Sequence, residues 1–199
     1  MNSATDPTAR LEFNLGNDMG TIWIGNVSVT ELKSEDGIDH DMKKSPLSDG
    51  NRIYNGTFDQ GVHRIAFWHI EDMEVKIPDV VIRENRIEDY SRMAQITVSS
   101  SNAKMYQNGI QVNGGADYLT SMDFYGETEA EVKAFLLGSD RTVYMEHVFS
   151  YDEVGEVKHM DHIFTIPEHI TDHEAVFSIV IPEGTSISID NVRMETVKE

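Results

Sequence analysis

The chain has 199 residues and carries 35 Asp+Glu against 16 Lys+Arg, a formal charge of −19. That excess repels nucleic acid and anionic membranes, and leaves an uncharged ligand or bound cations as compatible partners. Apolar residues at 39% and aromatics at 9% are enough for a packed core, while the absence of cysteine excludes disulfides, zinc–thiolate sites and thiol nucleophiles.

In chain order, LEFNL (11–15) and TIWIGNVSV (21–29) read as the first two strands. ELKSEDGIDHDMKKSPLSDGN (31–51) is charged, contains Gly and Pro and has few core-forming residues, so it reads as a linker with a boundary near residue 48. Further strands are expected at MAQITVS (93–99), YLTSMDFY (118–125), VKAFLL (132–137), TVYMEHVF (142–149), HIFTIP (162–167), AVFSIVI (175–181) and SISIDNVRM (186–194). These are rich in Val, Ile, Thr, Phe and Tyr, alternate roughly with period two, and are separated by turn signals such as NGG, GSD, DEVG and PEG. ETEAEVKAF (127–135) has some helical character, but its Val and its neighbours make it a strand entry. The pattern predicts an all-β sandwich or barrel.

Residues 5–27 (TDPTARLEFNLGNDMGTIWIGNV) and 171–192 (TDHEAVFSIVIPEGTSISIDNV) align with one gap and share the ending Ile-x-Ile-x-Asn-Val. The simplest organisation has residues 1–30 as the last two strands of one module, 31–50 as a linker, and 51–199 as a second, complete module. Two orphan strands at 1–30 would need to pair with the complete module or with another chain.

No catalytic signature is present: there is no G-x-S-x-G, P-loop, H-E-x-x-H or G-x-G-x-x-G. Glu127, Glu129 and Glu131 alternate as one solvated face of a strand would, and His159 and His162, three apart on a strand, point to opposite faces and make a poor zinc pair. Asn26-Val-Ser and Asn55-Gly-Thr fit the glycosylation sequon but lie inside repeated strand-end and motif segments, so they read as structural.

Three elements occur in order over residues 51–197: NGTFDQG (55–61) followed by Trp68, NGIQVNGGADYLTSMDF (108–124), and ISIDNV (187–192). Together they resemble the carbohydrate-binding modules of families 4, 9, 16 and 22, family 4 most of all. The resemblance implies a β-jelly roll of two antiparallel sheets with a concave ligand-binding face. It also implies a structural calcium whose ligands fall on Thr57 and Asp190, with Asp59 a weaker candidate. Oxygen donors of this kind suit calcium, which takes 6–8 of them. The N-terminal repeat has Gly25 in place of Asp190, so no calcium is expected there.

For sugar, the family positions carry over to Asn108, to Asp140 and Tyr144 with a one-residue ambiguity, and to Trp68, which is equally able to be core. Tyr106 is two residues before Asn108 and so on the same strand face. Aromatic faces pack on the apolar face of a sugar ring while amides and hydroxyls bond its hydroxyls. One departure counts against binding: Val176 and Val180 stand where family 4 modules carry glutamines, which implies a partly covered or weakened groove.

The resemblance thus implies a non-catalytic module that tethers a glycoside hydrolase of the same parent chain to a neutral β-glucan, of β-1,3 or mixed linkage. The alternatives are a spacer jelly roll that has lost sugar binding, or a catalytic jelly-roll domain. Extracellular placement follows from the same resemblance. The opening MNSATDPTAR has no signal-peptide stretch, and no apolar run approaches the ~18 residues that span a bilayer.

Overall fold

The computed structural model describes residues 39–61, 64–76, 93–99 and 103–197, and these hold ten strands and no helix. Strands β1 (His69–Glu71), β4 (Lys104–Asn113), β9 (Thr171–Val180), β6 (Ala130–Leu137) and β7 (Val143–Tyr151) form one five-stranded sheet in that order. Strands β2 (Met73–Lys76), β3 (Ala94–Val98), β10 (Ser186–Thr196), β5 (Asp117–Tyr125) and β8 (Lys158–Thr165) form the other. Every strand pairing is antiparallel. The chain is a β-sandwich jelly roll, as its sequence implies.

Period-two alternation decides which side chains meet between the sheets. In β3, Ala94, Ile96 and Val98 are buried while Gln95 and Thr97 are exposed; in β6, Val132, Ala134 and Leu136 are buried while Lys133 is exposed. Phe124, Phe149, Phe177, Met105 and Ile189 complete the core from the other strands. Each large apolar side chain so buried contributes roughly 1.5–3 kcal/mol.

The expected strands from residue 93 onward all appear, and 127–135 leads into β6 as a strand. Those at 11–15 and 21–29, with the whole 1–30 fragment, lie outside the described residues. Strand β4 escapes the period-two reading because Asn108-Gly109 interrupts it. Its register against β9 shifts between Gln107 and Ile110, and Gly109 sits at φ 74° in that bulge. A Cβ there would meet the carbonyl oxygen of Met42 at 2.7 Å, so only glycine fits.

The two ends of the module meet. Residues 51–56 run beside β10 beyond the end of β3: Arg52 N–H donates to Met194 O (2.8 Å) and Val192 N–H donates to Gly56 O (3.0 Å). Gly56 lies so close that a Cβ would fall 2.0 Å from Val192 O. Asn55 ties the motif turn, accepting from the N–H groups of Asp59 and Gln60 and donating to the carbonyls of Arg64 and Ala66.

Two expectations change here. Trp68 is core, not cleft: it is 2% exposed, stacks on the buried Phe58 at 5.7 Å, and donates its indole N–H to Asn55 O. The segment read as linker is part of the module from residue 39 onward. Lys44 is fully buried and its N–H donates to Gly109 O at 2.8 Å, making a parallel bridge to Ile110. The charges of 39–49 suggested a solvated tether, but the lysine's ammonium is satisfied by main-chain carbonyls instead.

Candidate functional site

The outer face of the β1–β4–β9–β6–β7 sheet carries a cross-strand row in register: His69, Tyr106, Ser178, Phe135 and Glu146. The alternation that sends Ala134 and Leu136 inward turns Phe135 outward, where it is half-buried. The backbones of Tyr106 and Phe135 are two strands, about 10 Å, apart. Ser178 between them is small, so the row dips at its middle. On one side the groove is bounded by Asn108, Leu137, Val176 and the 138–141 turn with Arg141.

Tyr106 is braced on this face. Its ring stacks on His69 with centroids 4.8 Å apart and planes 15° from parallel, and the Lys104 ammonium lies 4.9 Å from its centroid. Burial and then the neighbouring Glu71 push its phenol pKa up. Asn108, one side-chain step along β4, donates its amide to Asp41 Oδ1 at 2.8 Å. That bond, ahead of the nearby His69, holds the Asp41 carboxyl below its ordinary range. The sequence-predicted pair Tyr106 and Asn108 therefore line one groove.

Asp140 lies in the 138–141 turn beside it and Tyr144 packs against Gly138 of that turn, and both are committed to the fold. Asp140 accepts from the N–H and the hydroxyl of Thr142, both at 2.9 Å, and these bonds lower its carboxyl pKa. Tyr144 donates to Asp172 Oδ2 at 3.0 Å, and burial followed by that carboxylate pushes its phenol up to about 12. Burial works against ionisation of Asp172, but donors from Ser139, Glu174 and Tyr144 outweigh it and its pKa is lowered. Phe135 was absent from the sequence-level site, although its parity with Lys133 and against Val132, Ala134 and Leu136 marks the outer face.

Charges of both signs lie on this face. Lys104 pairs with Glu71 and Lys43 with Glu174, both at 3.1 Å, and Lys133, Arg141, Glu131, Glu146, Asp41 and Asp140 add two bases and four acids. The surface is therefore mixed in sign with a small acidic surplus, in a chain of net charge −19. Val176 and Val180 are half-buried on the outer face rather than fully covered.

At the far sheet, Asp190 is fully buried where the motif turn meets β10, its Oδ1 accepting from Asn191 N–H at 2.8 Å, while Thr57 and Asp59 are exposed. Among the described residues no three His, Asp or Glu side chains converge as a metal-holding group. A cation here would take Asp190 as its carboxylate and fill its shell from Thr57 and turn carbonyls, a donor set of the oxygen type that calcium accepts.

No protein-family model matches the chain, and no curated protein matches it in sequence. Among solved structures it is similar to an arabinose-bound family 51 α-L-arabinofuranosidase, with 13% identity and TM-score 0.58 over 82% of this chain, but only 27% of that one. The chain thus spans about a quarter of that enzyme's length. It is similar also to the Stig cyclase Fisc from Fischerella sp. TAU, with 13% identity and TM-score 0.58, over 74% of this chain and 96% of that one. A family 4 carbohydrate-binding module matches at 12% identity and TM-score 0.49 over 65% of this chain and 94% of its own, and modules of families 16 and 22 match as well. The matches above a TM-score of 0.5 are likenesses of fold, that of a two-sheet β-sandwich. In that fold the groove described here occupies one broad face of the module, and the motif turn and Asp190 lie with the other sheet.

Proposed function

We propose that this chain is a non-catalytic carbohydrate-binding module whose outer β1–β4–β9–β6–β7 face holds a polysaccharide chain and brings an attached glycoside hydrolase to it. The observation that carries the reading is the row Tyr106–Ser178–Phe135, in which two half-buried aromatic side chains flank a small hydroxyl on an otherwise finished sheet. Aromatic rings on a sheet surface give sugar rings an apolar platform, and Asn108 and Ser178 supply hydrogen bonds to hydroxyls. The acidic surplus of the face disfavours an anionic glycan and leaves a neutral one, and β-glucan of β-1,3 or mixed linkage is the one we assign. An extracellular place of action goes with that ligand. The reading also puts a structural calcium at Asp190.

Affinity electrophoresis through laminarin, barley β-glucan, xylan and hydroxyethyl cellulose tests the reading. Retardation by laminarin or barley β-glucan is expected, and Phe135→Ala should weaken it about tenfold with an unchanged melting temperature. No retardation in any of the four gels would overturn it. A spacer role without sugar binding is the second reading, favoured by Val176 and Val180 on the groove strand and by the commitment of Asp140 and Tyr144 to the fold.

A further inference from the structure

We propose that Asp41, in the segment that precedes the sandwich, is the positioning residue of the groove and sets its glycan affinity; the inference rests on the glycan-binding reading above. One carboxylate oxygen reaches two groove side chains. Asp41 Oδ1 accepts from Asn108 Nδ2 at 2.8 Å and stands 3.1 Å from His69 Nε2. His69 in turn stacks on Tyr106, with ring centroids 4.8 Å apart. Asp41 thereby fixes the amide directly and the aromatic ring through its neighbour.

The chemistry of the amide explains what this does. The two ends of an asparagine side chain are nearly equal in size but opposite in hydrogen-bonding sense. A carboxylate only accepts, so it holds the NH₂ end of Asn108 toward itself. The amide oxygen and the second N–H are then presented in a fixed orientation to a sugar hydroxyl.

The segment that carries Asp41 is itself held in place. The buried Lys44 ammonium donates to the carbonyls of His40 (3.0 Å) and Met42 (3.3 Å), which flank Asp41 in sequence, and to the carbonyl of Asn108 at 2.6 Å. One cation therefore ties the backbone on both sides of Asp41 to the residue that Asp41 orients. The exposed Lys43–Glu174 pair adds a second, weaker attachment over the groove.

The test compares single and combined variants by affinity electrophoresis in whichever of laminarin, barley β-glucan, xylan or hydroxyethyl cellulose retards the native chain most, with melting temperature measured alongside. Asp41→Ala should weaken retardation about tenfold, and Asp41→Asn, whose side-chain oxygen still accepts from Asn108, by about threefold or less. In an Asn108→Ala, His69→Ala background Asp41→Ala should have no further effect, since both of its routes are gone. Native affinity in Asp41→Ala, an equal loss in Asp41→Asn, or a full loss in the double-substituted background would overturn the role of Asp41 while leaving glycan binding standing. A native chain retarded by none of the four glycans would overturn both.

Discussion

Beside the 138–141 turn the Tyr144 hydroxyl donates to Asp172, a 7%-exposed carboxylate that also accepts from Ser139 and Glu174. Removing that hydroxyl leaves a mostly buried carboxylate one donor short, so Tyr144→Phe should cost about 1–2 kcal/mol in thermal unfolding while glycan retardation is unchanged. The phenol is pushed up to about 12 in the folded chain, against about 10 when unfolded. The folded state therefore keeps the proton longer, and this contribution is complete below about pH 10 and lost as pH rises toward about 12. Tyr144→Phe should remove that part of the alkaline destabilisation. At this scale Tyr106 and Asn108 were readable because a motif spacing names them and strand parity puts them on one face. Trp68 was not, because an aromatic beside a motif serves equally as core, and only its stacking on Phe58 decides.

Strands β7 and β8 each form one edge of their sheets, and their side chains meet at that margin of the sandwich. The imidazoles of His147 and His162 stack there with centroids 3.9 Å apart and planes within 9°. Phe149 packs edge-on to His147 at 4.7 Å, and Phe164 lies parallel to His162 at 6.4 Å. Their register partners, Ala134 and Thr120, are uncharged. Burial, and then His162, lower the His147 pKa. The unfolded chain thus binds the proton more readily, so this contact contributes fully above the unfolded value near 6.5 and is lost as pH falls below it. Melting temperature measured between pH 7 and pH 5 should fall less steeply in His147→Phe than in the native chain; parallel curves would show that folding does not lower the His147 pKa. The His147–His162 meeting could not be read from sequence, which spaced His159 against His162 but carries no record of which edge strands face each other.

Across the whole molecule, the signals that survived are those with many residues behind them. Alternation over β3 and β6 fixes the sandwich because each strand repeats the same choice several times. The short β1 and β2, of three and four residues, offer no period to read. The early motif and the late Ile-Asp-Asn-Val were recognisable separately, and the fold joins them through Gly56 and Val192. If calcium reinforces that junction at Asp190, chelation should lower the melting temperature by several degrees, and Asp190→Asn should abolish the difference between chelated and calcium-loaded protein. Equal melting with and without chelator would remove the ion from the account. The segment 39–50 shows the limit of composition: charged residues look solvated, yet one of them, Lys44, is fully buried against β4.

That lysine also decides where the chain can be cut. A shortened protein starting at Asn51, the boundary its composition invites, would strip Asn108 and Gly109 of the groups that bond their carbonyls and would open the flank of the groove. A piece that keeps these bonds begins no later than Asp39, so anyone grafting this domain onto another protein should carry those dozen extra residues along.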